Sequence, residues 1–323
     1  MDLKGKRVLV VGLGRSGLSA ARLLRGRGAR VFATDQAAAE KIGPRAASIE
    51  PLVEEMSLGG FREDWFDACD LVVVSPGVPL SLPVFDRARR ADVPIVSEIE
   101  LASWLIDIPL LAITGTNGKS TTTALCGAML ESSGRRAFVG GNIGVPLSDL
   151  AASDEPYDVA CVELSSFQLE ATDAFHPRAA AVTNIAPNHQ DRYVDFATYA
   201  RAKRNIFKQM DASDTAVLNA NCAGTAKHLS GLPCPIRWFG DEELGGAFVA
   251  DGALVVRDDA GERRFALDAF RLPGTHNLDN LMAASLVAFA GGATTKGFAA
   301  PSGNSPGCPT VWKRSATCAA SDS

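Results

Sequence analysis

The sequence predicts an α/β protein with a Rossmann-like, parallel-sheet N-terminal domain and a central α/β domain of the P-loop nucleoside triphosphatase type. Three observations predict this class. Short apolar strands alternate with helical segments, two glycine-rich turns each join a strand to a helix, and 323 residues suggest two domains of about 150 residues each. The predicted domains span residues 1–107 and 108–290, and residues 291–323 are predicted to form an irregular C-terminal tail.

The composition argues against several classes of function. Hydrophobic residues make up 46% of the chain, yet no apolar run reaches the roughly 20 residues that cross a bilayer. The N-terminus lacks the apolar core of a secretory signal, so we expect a cytoplasmic protein without a membrane partner, and we also expect a monomer. A net charge of −5 without a Lys/Arg cluster provides no surface for a nucleic-acid backbone. Seven cysteines without CxxC spacing predict neither a zinc site nor a disulfide framework.

The predicted N-terminal domain opens with a strand, a turn and a helix. Residues 7–12 form a short β-branched run, and apolar residues recur at helical spacing between residues 18 and 24. Further strands are predicted at residues 29–34 and 71–74, with a turn at residues 75–79. Strands that alternate with helices predict a parallel sheet, because parallel neighbours need a crossover connection.

The first glycine-rich turn, Gly12-Leu13-Gly14-Arg15-Ser16-Gly17, has GxGxxG spacing. This spacing lets backbone N–H groups and a helix N-terminus approach an anion. Asp35 follows about 20 residues later and could accept a hydrogen bond from a ribose or a uracil group. The spacing alone leaves three interpretations open: a dinucleotide site, a nucleotide-sugar site, and a tight strand-to-helix turn without a ligand.

The predicted central domain is built around a buried-type strand at residues 110–114, which leads into the second glycine-rich turn and a helix ending near residue 133. The other predicted parallel strands span residues 137–140, 158–163, 179–183 and 216–219. Helices are predicted at residues 196–210 and 276–289, and small antiparallel strands within residues 247–267.

The second glycine-rich turn, Gly115-Thr116-Asn117-Gly118-Lys119-Ser120-Thr121, predicts ATP binding. Its Gly-Lys-Ser sequence matches the end of a P-loop, in which the lysine meets β- and γ-phosphate oxygens and the serine hydroxyl reaches Mg²⁺. Ile113 stands where the usual pattern has its first glycine, so the loop is a shortened one.

Three polar residues follow the central strands or lie on the next helix. Glu163 ends a predicted strand at the edge where α/β sites collect and could hold Mg²⁺, or it could be an ordinary edge carboxylate in solvent. His189 follows another strand end, where a lone histidine is more often structural than a ligand. Lys203 lies on a predicted helix, where a lysine is ordinarily a solvated charge.

Taken in order, the motifs of residues 1 to about 290 resemble the Mur ligases, the ATP-dependent amide-forming enzymes of peptidoglycan precursor synthesis. The resemblance is strongest to the branch that joins D-glutamate to UDP-N-acetylmuramoyl-L-alanine. The segments that carry this resemblance are Gly12-Leu13-Gly14-Arg15-Ser16-Gly17, Ser75-Pro76-Gly77-Val78-Pro79, Gly141-Asn142-Ile143-Gly144, Glu163-Leu164-Ser165-Ser166-Phe167-Gln168-Leu169 and Gly274-Thr275-His276-Asn277-Leu278-Asp279-Asn280.

The resemblance implies a UDP-sugar domain, a central ATPase domain, and a C-terminal domain that closes over ATP and brings the amino acid. It assigns the first glycine-rich turn to a uridine nucleotide instead of a dinucleotide. The implied cofactors are ATP and Mg²⁺, and the implied substrates are UDP-N-acetylmuramoyl-L-alanine and D-glutamate. The implied reaction passes through an acyl phosphate of the substrate carboxylate, which the amine of D-glutamate then attacks.

The resemblance also implies roles for individual residues. The implied substrate contacts are Gly14, Arg15, Ser16, Asp35, Ser75, Gly77, Asn142, Ser165 and His189. The implied ATP contacts are Gly115, Thr116, Asn117, Gly118, Lys119, Ser120, Thr121, Asn277 and Asn280. The implied metal ligands are Ser120, Glu163, His189 and Lys203, and the implied catalytic set is Lys119, Glu163, His189 and Lys203. Lys203 matches the lysine that this family carbamylates into a carboxylate-like ligand, whereas Asn188 stands where many members have Asp.

The tail from residue 291 departs from the family. It is rich in small residues and proline, and it lacks the Gly-Leu-Pro-His-Arg string that the family shows after its last central helix. Residues 303–313 can be encoded so that the overlapping frame reads Gln-Leu-Ala-Gly-Leu-Pro-His-Arg-Met-Glu. We therefore interpret the tail as the result of a frameshift beginning near Ala290, an interpretation that fails if the gene does not encode that string.

A family member should continue for a further domain of roughly 100 to 150 residues. We therefore expect this chain to bind the UDP-sugar and ATP but to ligate D-glutamate poorly or not at all. Two other classes of function remain open on the sequence. A dehydrogenase would explain Gly12 to Asp35 but leaves Lys119 and Glu163 without a role, and a non-catalytic UDP-sugar- and ATP-binding fragment is not separated from the ligase.

Overall fold

The computed structural model describes residues 2–190, 192–258, 261–267, 270 and 272–298. It confirms the predicted α/β class: a five-stranded parallel sheet precedes a nine-stranded mixed sheet. Within the described residues, no helix combines the length and the apolar character needed to span a membrane.

The N-terminal sheet has the strand order β3-β2-β1-β4-β5, with every neighbouring pair parallel. Its strands are β1 (Arg7–Val11), β2 (Arg30–Asp35), β3 (Glu55–Leu58), β4 (Leu71–Val74) and β5 (Ile95–Ser97). Its helices are α1 (Arg15–Gly26), α2 (Ala39–Ile42), α3 (Pro44–Ile49), α4 (Phe85–Arg90) and α5 (Glu98–Ser103), with 3₁₀ turns at Glu50–Leu52 and Glu63–Trp65. The sequence predicted β1, β2 and β4 but missed β3 and β5, which are short edge strands.

The central sheet has the strand order β14-β13-β12-β11-β10-β9-β6-β8-β7. Its strands are β6 (Leu110–Thr114), β7 (Ala137–Gly141), β8 (Val159–Glu163), β9 (Ala179–Val182), β10 (Thr215–Asn219), β11 (Ile236–Phe239), β12 (Ala247–Ala250), β13 (Ala253–Asp258) and β14 (Gly261–Ala266). The pairs from β7 to β12 are parallel, and β12 to β14 form the predicted antiparallel part.

The helices of the central unit cover both faces of this sheet. They are α6 (Lys119–Ser132), α7 (Leu147–Ala151), α8 (Ser166–Leu169), α9 (Phe196–Arg204), α10 (Ala223–His228) and α11 (Thr275–Ala290), with 3₁₀ turns at Asn205–Phe207 and Thr295–Phe298. The helix predicted at residues 196–210 is therefore shorter than expected, because its second half tightens into a 3₁₀ turn.

Strand β6 lies inside the sheet, between β8 and β9, and all five of its residues are buried. Its unbroken apolar run fits this position, since a parallel strand covered on both faces needs no polar alternation. Helices α6 and α11 pack against each other on one face, where Ile113 of β6 shares a core with Leu125 and Leu281. This packing fixes where the turn after β6 emerges.

The segment after α11 departs in part from the predicted irregular tail. Phe298 is buried, and its ring lies 4.5 Å from the ring of Phe289 and 4.6 Å from that of Phe265. These aromatic contacts hold the Thr295–Phe298 turn in place. The sequence did not indicate this turn, because the residues around it are mostly small and show little apolar periodicity. Residues 299–323, with most of the predicted tail and the segment 303–313 used for the frameshift interpretation, lie outside the described residues.

Helix α5 joins the N-terminal unit to the central unit through a buried carboxylate. Glu100 is fully buried and accepts hydrogen bonds from the backbone N–H groups of Asp173, Ala174 and Phe175 at 2.7 to 3.0 Å. The indole of Trp104 donates a further bond of 2.8 Å to the same carboxylate. Four donors satisfy this charge, so the contact holds the two units in one relative position.

A second buried carboxylate of α5 is less well satisfied. One oxygen of Glu98 accepts a 2.6 Å bond from the backbone N–H of Ser148, whereas its other oxygen has no hydrogen-bond partner within the described chain. Burial raises the pKa of Glu98 to about 7, against the opposing effect of its hydrogen bonds with Ser148. The protonated form is therefore the one that this interface accommodates best.

We expect the variant Glu98→Gln to gain stability relative to the wild type as the pH rises. The folded pKa of Glu98 lies above the ordinary value of 4.5, so its favourable contribution is complete below pH 4.5 and lost as the pH passes through about 7. Glutamine does not titrate, so the variant should be more stable at pH 8 by on the order of 1–3 kcal/mol. The measurement is urea unfolding between pH 5 and 8.

The matched control for this experiment is Glu131→Gln, which changes an exposed glutamate on α6. This control should follow the wild type across the whole pH range. Parallel pH profiles for the wild type and Glu98→Gln would show that Glu98 is already ionised without cost in the folded protein.

Candidate active site

The turn after β6 closes tightly around two glycines. Gly115 has φ +153°, and a Cβ atom placed there would lie 1.9 Å from Oγ1 of Thr183. Gly118 has φ +82°, and a Cβ atom there would lie 2.1 Å from Oδ1 of Asn280. Both contacts are far inside van der Waals distance, so this loop accepts only glycine at these two positions.

Hydrogen bonds from the neighbouring strand ends hold the phosphate loop, residues 115–121. The hydroxyl of Thr183 donates to the carbonyl of Asn117 at 2.6 Å, and Oδ1 of Asn184 accepts from the N–H of Asn117 at 2.9 Å. Oγ1 of Thr116 lies 3.0 Å from the hydroxyl of Tyr199 on α9. The loop is therefore shaped before any ligand binds.

The two predicted nucleotide-side asparagines lie on α11 beside this loop. Nδ2 of Asn280 donates to Oδ1 of Asn277 at 3.1 Å, and Oδ1 of Asn280 accepts from the hydroxyl of Thr122 at 3.3 Å. Asn280 is buried and lies against Gly118, so the structure brings both asparagines to the phosphate loop. Thr121 lies with Lys119 and Ser120 in the first turn of α6.

Glu163 ends β8 as a buried carboxylate, so the alternative of a solvent-exposed edge residue is wrong. One of its oxygens accepts a 2.7 Å bond from the hydroxyl of Ser120, and the other accepts a 2.9 Å bond from Nδ2 of Asn142. The structure therefore brings together a predicted metal ligand, a predicted phosphate-loop residue and a predicted substrate contact around one carboxylate.

Two lysines occupy the other side of the loop. Nζ of Lys119 donates to the carbonyl of Thr116 at 3.1 Å, and burial lowers its pKa. Lys203 is buried rather than solvated, and its Nζ donates to the carbonyl of Gly115 at 2.8 Å. Burial lowers the pKa of Lys203 to about 7, helped by the charge of Lys119 and opposed by that of Glu163.

His189 lies in an exposed loop with the backbone in the left-handed region, at φ +53°. Its ring centroid is 4.8 Å from that of Phe167 and 6.2 Å from that of Tyr199. The ring of Tyr199 also lies 4.8 Å from Nζ of Lys203, so one tyrosine lies beside two of the four predicted metal ligands. Asn188, the departure from the family pattern, accepts a 2.9 Å bond from the N–H of His189.

Ser165, a predicted substrate contact, has a structural role as the N-cap of α8. Its hydroxyl accepts from the N–H of Gln168 at 3.2 Å, and Oε1 of Gln168 accepts from the N–H of Ser165 at 2.9 Å. This reciprocal pair is a capping box, which sets the start of the helix.

The remaining predicted substrate residues line one cavity of about 410 Å³ in the N-terminal unit. They are Gly14, Arg15, Ser16, Asp35, Ser75 and Gly77. The carboxylate of Asp35 accepts from the N–H groups of Leu13 at 2.6 Å and Ala37 at 2.8 Å, which fixes its orientation beside the cavity.

Sequence reasoning missed several residues that shape these sites. Gln36 and Phe61 line the same cavity, but neither belongs to a motif with a recognisable spacing. Tyr199 lies one helical turn before Lys203, and this i, i+4 relation is the signal that would have found it.

The two sites are connected across the domain boundary. The guanidinium of Arg15, in the first glycine-rich turn, donates a 2.5 Å bond to the carbonyl of Gly144 in the central unit. Gly144 follows shortly after Asn142, which holds Glu163. One short loop, residues 142–144, therefore contacts Arg15 beside the cavity and the carboxylate beside the phosphate loop.

Both units of the chain match models of known protein families. Residues 113–288 match the family model described as the Mur ligase middle domain, and residues 6–97 match the one described as the Mur ligase MurD-like N-terminal domain. Among solved structures, the fold is similar to that of a UDP-N-acetylmuramate:L-alanyl-γ-D-glutamyl-meso-diaminopimelate ligase from Neisseria meningitides, with 20% identity and a TM-score of 0.59 over 88% of this chain and 93% of that chain. It is also similar to a murein peptide ligase from Psychrobacter arcticus, with 20% identity and a TM-score of 0.55 over 88% of this chain and 65% of that chain.

Curated relatives are closer in sequence. The UDP-N-acetylmuramoylalanine–D-glutamate ligase of Desulfosudis oleivorans is 40% identical over 93% of this chain and 66% of its own length. The protein of the same name from Anaeromyxobacter dehalogenans is 45% identical over 89% of this chain and 64% of its own length. The chain thus spans slightly less than two thirds of the length of these relatives.

We expect Gly118→Ala to be far more destabilising than Gly134→Ala. Both glycines have φ near +80° at opposite ends of α6, so both substitutions carry a backbone cost of about 1–2 kcal/mol. Only at Gly118 does the new methyl group collide, because no atom lies within 4 Å of a Cβ at Gly134. Urea unfolding should show an additional cost of at least about 1 kcal/mol for Gly118→Ala, from displacement of the buried Asn280. Equal costs for the two variants would mean that Asn280 is not held against the loop.

Proposed function

The chain belongs to the Mur ligase family, and on that premise we propose that it binds UDP-N-acetylmuramoyl-L-alanine together with Mg²⁺ and ATP, for the ligation of D-glutamate. The observation that carries this proposal is the loop of residues 142–144, which contacts Arg15 at the 410 Å³ cavity through Gly144 and contacts Glu163 through Asn142. One extended substrate can lie along this loop, from a uridine nucleotide at the first glycine-rich turn to a carboxylate at the phosphate loop. The names of the relatives support the same substrate.

We assign the uridine nucleotide to the cavity lined by Gly14, Arg15, Ser16, Asp35, Ser75 and Gly77. The backbone N–H groups at the start of α1 face this cavity as an anion site, and the Arg15 guanidinium adds a positive charge. The substrate's carboxylate end is assigned to Asn142, Ser165 and His189. The hydroxyl of Ser165 that we assign to the substrate is the same group that caps α8.

We assign the triphosphate of ATP to residues 115–121, with Asn277 and Asn280 on the nucleotide side. The ammonium group of Lys119 stabilises negative charge that develops on the transferred phosphoryl group. The substrate carboxylate oxygen attacks the γ-phosphorus and ADP leaves. The amine of D-glutamate then attacks the acyl carbon, a C–N bond forms, and phosphate leaves while the amine loses a proton.

The residues around Glu163 fit Mg²⁺, which prefers hard oxygen donors. Ser120 and Glu163 supply a hydroxyl and a carboxylate that are already 2.7 Å apart, and the carboxylate is otherwise bonded only to a neutral amide among the described residues. We propose these two oxygens, with His189 and a modified Lys203, as the groups that hold the ion. When bound, Mg²⁺ would neutralise part of the negative charge on the phosphate groups.

The proposed function is tested by calorimetric binding to the 323-residue chain. We expect UDP-N-acetylmuramoyl-L-alanine to bind at least about tenfold more tightly than UDP-N-acetylmuramate or the form already carrying D-glutamate. Lys119→Met should weaken Mg²⁺·ATP binding by at least about tenfold, because it removes the cation at the phosphates, while leaving UDP binding unchanged.

The matched control is Lys227→Met, which changes an exposed lysine on α10 and should bind every ligand as the wild type does. Binding of NAD(P) in place of the UDP-sugar would replace this proposal with a dehydrogenase. D-glutamate-dependent phosphate release by the same preparation would overturn our expectation that these 323 residues ligate poorly.

We further propose that Lys203 is carbamylated. The reaction joins the neutral amine to CO₂ and releases a proton, so it requires an unprotonated lysine. Burial brings the pKa of Lys203 to about 7, so above that pH most of its amine is in the reactive form. We expect a ¹³C carbamate signal from ¹³C-bicarbonate at pH 8 that is weaker at pH 6 and absent in Lys203→Arg. Identical spectra for Lys203→Arg and the wild type would exclude the modification.

A further inference from the structure

We propose that Arg192 is a positioning residue that sets the register between the UDP-sugar cavity and the phosphate-loop site, an inference that rests on the proposed function. Its side chain is only 13% exposed, although arginine is usually a surface residue. Buried placement of a guanidinium requires partners on several sides, and the partners of Arg192 come from both units of the chain.

On the side of the N-terminal unit, Arg192 holds the turn that forms one wall of the cavity. Its Nη1 donates to the carbonyl of Pro76 at 2.8 Å, and its Nη2 donates to the carbonyl of Val78 at 3.4 Å. Both residues line the 410 Å³ cavity, and Ser75 just before them donates to the carbonyl of Gly12 at 2.6 Å. Displacement of Arg192 would therefore release this wall of the cavity from the central unit.

On the side of the central unit, the same guanidinium is fixed by a ring and a carboxylate. Its central carbon lies 3.9 Å from the ring centroid of Phe167, and Nη2 lies 3.3 Å from Oε2 of Glu170. Both partners belong to the segment that follows Glu163. The backbone N–H of Arg192 also donates to the carbonyl of His189 at 3.0 Å, which ties the arginine to the proposed substrate and metal residue.

The contacts continue from Arg192 to the phosphate loop without a break. Phe167 packs against His189, His189 lies beside Tyr199, and Tyr199 is bonded to Thr116 and lies under Lys203. A shift of the cavity wall relative to the central unit must therefore disturb groups that contact the loop. This arrangement is a physical route by which occupancy of one site biases the other.

The chemistry of this position favours arginine over lysine. A planar guanidinium donates to two carbonyls in fixed directions while its face stacks on an aromatic ring, whereas an ammonium group offers neither the fork nor the flat face. Arg192→Lys therefore keeps the charge and removes the geometry. Arg27 supplies the matched control, because its Nη2 also bonds a carbonyl across the domain boundary, that of Ala151 at 3.1 Å, at a place that lines neither site.

The test measures linkage between the two ligands by titration calorimetry. For each protein, the dissociation constant of UDP-N-acetylmuramoyl-L-alanine is compared in the presence and absence of saturating Mg²⁺ and a non-hydrolysable ATP analogue. We expect the analogue to tighten binding in the wild type and in Arg27→Lys by about tenfold, within the usual range of coupling between sites. In Arg192→Lys we expect the factor to fall below about threefold. Free UDP occupies the same cavity and should lose its linkage to the analogue in Arg192→Lys as well.

A linkage factor in Arg192→Lys equal to that of Arg27→Lys would overturn the inference, as would a wild-type factor of one. In both cases the ligands still bind, so the proposed function would survive. Failure of the wild type to bind the UDP-sugar would instead overturn the proposed function and the inference with it. Glu170→Gln removes the ion pair but leaves the carbonyl bonds of Arg192, so its factor should lie between about threefold and that of Arg27→Lys. If Arg192→Lys does not fold, a factor in Glu170→Gln equal to that of Arg27→Lys overturns the inference.

Discussion

The parallel pairing of β6 with β8 on one side and β9 on the other is the constraint on which the candidate site depends. Parallel strands present their carboxyl ends at one edge of a sheet, so the turns that follow these three strands must converge there. The turn after β6 is the phosphate loop, β8 ends in Glu163, and the segment after β9 supplies Thr183 and Asn184, which bond the loop at Asn117. Helix α11 then packs against the phosphate loop, because its Asn280 lies against Gly118.

Two buried charges at this edge have opposite environments, and the difference explains their proposed roles. Glu163 accepts two hydrogen bonds, one from the hydroxyl of Ser120 and one from the side-chain amide of Asn142. Lys203 faces a carbonyl and a second lysine, and burial lowers its pKa toward neutrality. The lowered pKa of Lys203 supports its proposed carbamylation, and the two hydrogen bonds of Glu163 support its proposed role in holding Mg²⁺.

The interface between the two units is polar and specific, and it does more than join two domains. Glu100 fixes α5 to three consecutive backbone N–H groups of the central unit, which sets the overall placement. Arg15 and Arg192 then connect the walls of the cavity to residues around Glu163 and His189. Because the side chains of Glu100, Arg15 and Arg192 each bond backbone groups of the other unit, the register depends on geometry more than on the identity of the contacted residue.

The sequence by itself determined the α/β class, the strands that carry motifs, the phosphate loop and the family, because each leaves a local pattern of glycines, apolar runs and spacing. It also pointed to Glu163 through its place at the end of a strand, and to Lys203 through the family resemblance, although local spacing alone favoured a solvated lysine at position 203. Only the tertiary structure decided that these side chains are buried, that Ser165 caps a helix, that Phe298 packs against Phe289, and that Arg192 bridges the two units. The physical reason is that burial, pKa and contacts across the boundary are set by residues distant in the chain, and no local pattern records which distant groups will meet.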